Sequence, residues 1–230
     1  MIALAGIWFA LVAAAKAPTN GEAVVAELEI PMSALAAASG GASAGLVDDA
    51  TAVADNPARM GTVAAAVAAT HVIWPFGLTA SNLAGTYRFD GLGTAGLLAR
   101  VFRANVKGTV ETLNGNDGGD AAATDYQTLQ VVAGAAPDLS FLREWVPAVV
   151  SAGASGTYVQ RSFGGAARAG LAAGAGLHVQ WSEVVGTYAV GRNLGRLGGE
   201  PLPASGAAGV TGTARGLLVG MDRVRGAVEA

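Results

Sequence analysis

The residues of this chain best suited to chemistry crowd into one stretch, GGASAGLVDDATAVADNPARMG, from Gly40 to Gly61. Asp48, Asp49 and Asp55 could serve there as general acid and base, the use that paired carboxylates have when a cleft sets their proton affinities apart. That chemistry needs a cleft and a matching substrate geometry, and no other part of the sequence supplies either. The plainer use of the same residues is structural. Asp48 and Asp49 stand where a helix N-terminus begins and can accept from its free backbone N–H groups. Asn56 precedes Pro57, which biases it away from helical backbone. The spacing therefore predicts a helix over residues 50–54 that ends near Asp55, and a turn at Asn56-Pro57 leading into the first strand.

The remaining candidates for chemistry are thinner. His71 and His178 are the only histidines, and apart from the distant Glu183 no acid lies at ligand spacing from either. GLGTAG, from Gly91 to Gly96, has the glycines of a dinucleotide loop but neither a buried parallel strand before it nor a helix after it, so it reads as a hairpin turn. GNDGGD, from Gly115 to Asp120, lacks the spaced acids and terminal Glu of a calcium loop and reads as an exposed turn. Trp74, Pro75, Phe76, Trp145 and Tyr158 read as aromatics at a membrane boundary. The expectation is a protein with no catalytic residue, metal or cofactor.

Composition sets what must position these residues. The chain has 230 residues, 52% hydrophobic and 13% charged, with 34 Gly, no Cys and a net charge of -3. One domain is expected, with about half the usual ~25% of charged residues and about twice the usual ~7% of glycine. Without Cys there are no disulfides, thiolate zinc sites or iron–sulfur clusters. Arg and Lys are spread too thinly for a nucleic-acid stripe. No run of 18 apolar residues follows the first twenty positions, which argues against membrane helices. MIALAGIWFALVAAAKA, residues 1–17, has the apolar core and small residues of a secretory signal.

Helical periodicity is confined to the region before Ala69. From about Thr79 onward short runs alternate apolar and polar residues between turns. In LHVQWSEVVGTYAV, Leu177, Val179 and Trp181 alternate with His178, Gln180 and Ser182. Roughly nine or ten such runs occur, each near the ~10 residues that a tilted membrane strand needs. A soluble sandwich and a membrane barrel both alternate in this way, and they differ in where the apolar face points. Apolar residues here are mostly Ala, Val and Gly, which suits a lipid-facing surface better than a packed core, and hydrocarbon favours closure because an open edge leaves backbone groups unpaired. The expected fold is all-β, an antiparallel transmembrane β-barrel, complete or incomplete, with a short helical N-terminal plug. Its divisions are a signal at 1–17, the plug segment at 18–61 and the barrel at 62–230.

Two stretches also carry a resemblance. Gly40, Gly41, Ala42, Asp48, Asp49, Ala50, Thr51, Ala52, Asn56, Pro57 and Ala58 resemble the N-terminal signature of the PorV/PorQ family of bacterial outer-membrane barrels. Downstream, Asn193, Leu194, Gly195, Leu202 and Pro203 resemble that family's strand ending in Asn-Leu-Gly and the Leu-Pro after it. The resemblance covers about Ser33 to Val210 and implies a FadL-like barrel in the bacterial outer membrane, its Asn-Pro-Ala segment folded inward as a plug near the periplasmic end. The implied role is protein secretion or transport of apolar molecules. The implied partners are outer-membrane lipid, exported cargo proteins or secretion components, and apolar small molecules. A structural barrel with a shut plug and a soluble secreted β protein are the alternatives.

Overall fold

In a computed structural model, residues 26–39, 43–74, 77–106, 124–163, 165–214 and 217–224 are described. The signal expected at 1–17, the motif glycines Gly40 and Gly41, Pro75, Phe76 and the GNDGGD turn lie outside them. The N-terminal segment holds two short helices, α1 (Ala34–Ala38) and α2 (Ala52–Asp55), between 3₁₀ turns at Ala26–Glu29 and Pro57–Thr62. The strands follow: β1 (Ala65–Trp74), β2 (Leu78–Phe89), β3 (Gly93–Val106), β4 (Thr124–Pro137), β5 (Val149–Phe163), β6 (Ala166–Gln180), β7 (Val185–Leu197), β8 (Glu200–Pro201), β9 (Ser205–Ala214) and β10 (Leu217–Val224). All pair antiparallel in one sheet of order β1-β2-β3-β4-β5-β6-β7-β9-β10, with the two-residue β8 attached to β7. GLGTAG covers the turn from β2 to β3 and the start of β3, with Gly91 at φ 71° and Gly93 at φ 119°. The sheet is not closed: among the described residues no ladder joins β1 to β10. Because every long strand reverses the one before it, β1 and β10 run in the same direction, and a bond ladder directly between them would be parallel.

The two faces of the sheet differ in chemistry. One face bears apolar side chains left open, including Val67 at 81%, Leu97 at 62% and Leu171 at 70% exposure. The other face carries Asn82, Arg100, Thr128, Gln130 and His178, all buried. By the strand's alternation Leu177 and Val179 share the parity of the first face and His178 that of the second, though Val179 is itself buried at 6% exposure. What buries the polar face is the N-terminal segment, which meets each long strand from β2 to β9. Its first part fills one end, with Leu28 among Val159, Ala172, Leu197 and Leu202. Its second part fills the other, with Val47, Val53 and Met60 against Ala84, Leu98, Val132 and Ala136.

One irregularity sets side-chain direction. Between Ala173 and Ala175 of β6, Gly174 faces both Arg192 and Asn193 of β7, a β-bulge with Asn193 at φ 58°. The extra residue shifts the alternation by one. Leu197 is thereby buried and Arg196 exposed, where an unbroken count from Val190 and Arg192 would reverse them. The Asn193-Leu194-Gly195 motif is this bulge, and Asn is among the few residues that adopt a left-handed backbone at little cost.

Candidate functional site

The site these elements build is the contact between the N-terminal segment and the polar face of the sheet. Small residues make it possible. A Cβ placed on Gly176 of β6 would overlap Asn56 Oδ1, and one on Gly153 of β5 would overlap the Pro57 carbonyl. Gly96 and Gly134 receive Met60 and Val53 in the same way. The Asn-Pro-Ala turn therefore lies directly on the wall backbone, in a seat that only glycine provides.

Asn56 is fully buried and holds that turn from both sides. Its Nδ2 donates to the Ala44 carbonyl at 2.8 Å, and its Oδ1 accepts from the Ala58 N–H at 3.1 Å. Its backbone is extended, with φ -155°, so α2 ends at Asp55, where the residue before a proline is expected to leave the helix. The chain then makes the 3₁₀ turn Pro57–Thr62 before β1 begins at Ala65.

The acids divide differently from the sequence expectation. The residue at the start of α2 is Thr51, whose side chain makes no capping bond to the helix. Asp49 acts one step earlier: its Oδ1 accepts from Thr51 N–H at 2.7 Å and from Thr51 Oγ1 at 2.6 Å, closing the turn that leads into α2. Asp48 is exposed and makes no cap. It acts at longer range on Arg59, whose guanidinium is pushed below its ordinary affinity for protons by burial and held up by Asp48. Arg59 Nε donates to the Val47 carbonyl at 3.0 Å, and its Nη1 lies 3.3 Å from His178 Nε2, which must accept because a guanidinium only donates.

Of the three aspartates in this stretch, Asp55 is the buried one, 6% exposed at the end of α2. Its Oδ1 lies 3.8 Å from Nη1 of Arg192, which shares the inward parity of Tyr188 and Val190 on β7, and its Oδ2 has no hydrogen-bond partner among the described residues. Burial pushes its carboxyl up to about 6, only partly opposed by Arg192. At the other end Glu27, missed by sequence reasoning, accepts from Tyr126 and Thr128 hydroxyls, while Arg100 Nη1 donates to the Ile30 carbonyl at 3.2 Å. Asn82 Nδ2 donates to the Met32 carbonyl at 2.9 Å. Only a tertiary fold could have revealed these partners, which sit 50 to 101 residues apart in sequence.

Other expectations fall at separate places. His71 hydrogen-bonds Ser81 at 2.8 Å on the outer face, far in chain and fold from His178, and the described residues hold no cluster of three or more His, Cys, Asp or Glu suited to a metal. Trp74 is half-buried with its ring 6.4 Å from Phe102, so it packs on the inner side with the plug's Ile30 and is no boundary aromatic. The register explains the reversal: Trp74 shares the parity of the inward residues Ala66 and Ala68. Trp145, at 81%, and Tyr158 are exposed. A cavity of about 90 Å³ lies where β2, β3 and β5 begin or end, lined by Gly61, Arg88, Thr94, Asp138, Arg143 and Ser151.

Fold and site together define an antiparallel sheet with an open apolar face and a polar opposite face on which the N-terminal segment packs. Neither the protein-family models, nor the curated proteins, nor the solved structures compared with the chain give a match.

Proposed function

We propose that this chain is a plugged outer-membrane β-barrel protein of the PorV/PorQ type, working in protein secretion or in passage of apolar molecules. The observation that carries the reading is the banding of the outer face. Outward along β3 come Ala95, Leu97, Ala99 and Val101, and the run ends at Arg103. Along β4 come Ala135, Ala133, Val131 and Leu129, ending at Gln127, and along β2 come Tyr87, Gly85 and Leu83, ending at Ser81. At the opposite strand ends the exposed large apolar side chains are Phe89, Leu92, Phe141, Trp145 and Trp181, among exposed Arg88, Asp90, Arg143, Glu144 and Glu183. Such a run of about eight residues at ~3.3 Å each gives ~26 Å along a strand, on the order of 20 Å at the ~40° tilt of barrel strands. An apolar belt of that height between borders that carry charged, polar and aromatic residues suits a bilayer and costs a water-soluble protein heavily in exposed apolar surface. No helix among the described residues is long and apolar enough to cross a membrane.

The close fit of plug to wall favours, as a second reading, a barrel whose plug stays shut. Membrane fractionation joined to a gel with and without boiling tests the proposal. The expected result is recovery in the membrane fraction and a band that shifts on boiling, because a closed barrel survives detergent at room temperature. Recovery as a detergent-free soluble monomer would refute it.

A further inference from the structure

The Asp55 carboxylate is poorly compensated for its burial. A charge-assisted bond to a guanidinium runs at about 2.7–2.9 Å, whereas the Arg192 contact is 3.8 Å. The second oxygen, Oδ2, has no hydrogen bond among the described residues. The charges that face Asp55 can be counted by element. β7 offers Arg192, β3 offers the more remote Arg100, and the plug itself offers Asp49, which repels, and the weakly favourable Ser43 hydroxyl. β4, on which α2 also packs, has no titratable side chain from Gln130 to Ala136. Moving the plug off the wall would return this carboxylate to water and remove the cost of burying it. Protonating it in place removes the same cost.

We propose that Asp55 makes the plug an acid-tightened one: residues 43–63 sit more firmly on the inner wall when this side chain is neutral, and more loosely when it is charged. The inference rests on the plug reading above and adds its regulation. The sign follows from linkage. A carboxyl whose proton affinity is higher when docked than when free favours docking below its docked value, and loses that advantage as pH rises through it. With a docked value of about 6 and a free value of 3.8, docking strengthens about tenfold between pH 7.5 and pH 5.

Hydrogen exchange of the full chain in detergent micelles, read by mass spectrometry on peptides covering 43–63, tests this. Exchange times are scaled for the intrinsic pH dependence of amide chemistry. In the unmutated protein, protection of these peptides is expected to rise about tenfold from pH 7.5 to pH 5, while peptides of β3 and β4 stay constant. Asp55→Asn is expected to show the high protection at both pH values. Arg192→Gln, which withdraws the partial compensation, is expected to lower protection at pH 7.5 and to enlarge the gain on acidification. Protection of 43–63 that is unchanged or lower at pH 5, or a full tenfold rise retained in Asp55→Asn, overturns the proposal. A missing gel shift in the membrane experiment would instead strike the barrel reading, since the exchange is read within the plug and needs no bilayer.

Discussion

Adding one methyl group at Gly153 isolates the plug seat from everything else in the sheet. A Cβ there meets the Pro57 carbonyl carbon and oxygen and lies 2.7 Å from Ala58 N, all backbone atoms of the 3₁₀ turn and unable to swing aside as a side chain does. Overpacking of this kind costs about 1–3 kcal/mol. Against it stands the ~0.5–1 kcal/mol that alanine gains over glycine in a strand from the unfolded chain's lost freedom. The net expectation for Gly153→Ala is a loss of about 1–2 kcal/mol, concentrated in the plug. Gly156, three residues along the same strand, points to the outer face with nothing within 4 Å of a new Cβ. Gly156→Ala therefore carries the backbone gain alone and should be neutral or slightly stabilising. Protease cleavage within residues 43–63 and the denaturant midpoint of the folded protein read the two effects separately. If Gly153→Ala matches Gly156→Ala in both, the wall does not hold the plug as argued.

Asn56→Ala removes both of its hydrogen bonds and leaves the buried Ala44 carbonyl and Ala58 N–H without partners, so a loss of about 2–4 kcal/mol is expected in the same denaturant titration. Asp49→Ala should lower helix and plug stability by about 0.5–2 kcal/mol through the lost Thr51 contacts, while Asp48→Ala should leave that stability where it was. At the bulge, Asn193→Gly should be nearly silent and Asn193→Val should cost about 1–3 kcal/mol, because a β-branched residue resists φ 58°. Leu97→Arg separates the membrane reading from a soluble one. In lipid it should cost ~2–4 kcal/mol, measured by folding into vesicles, and in a soluble protein an exposed substitution would stay within about 0.5 kcal/mol.

Much of the fold was legible because a strand's side chains alternate strictly. LHVQW alone assigns Leu177 and Val179 to one face and His178 to the other, and that division holds. The end of α2 was legible for a similar reason: proline restricts the residue before it, wherever the segment lies. Alternation says nothing, however, about an inserted residue. Leu197 rather than Arg196 is buried only because β7 bulges opposite Gly174. The assignment of Trp74 to the outer boundary failed on parity, which is fixed by where β1 starts and which face the plug covers.

The amino-acid order by itself thus determined the local choices: strands from Thr79 onward, turns at glycines, a helix stopped before Asn56-Pro57, and a surplus of small residues. Those follow from steric and hydrogen-bonding rules that act within a few residues. The tertiary structure decided which glycines became a seat, that Asn56 bridges the plug to itself across twelve residues, and that Asp55 rather than Asp48 or Asp49 is the acid taken out of water. It also left the sheet open between β1 and β10 among the described residues. These outcomes depend on groups brought together from distant parts of the chain, and burial and electrostatic energy are set by that environment rather than by the residue's own type or its neighbours in sequence.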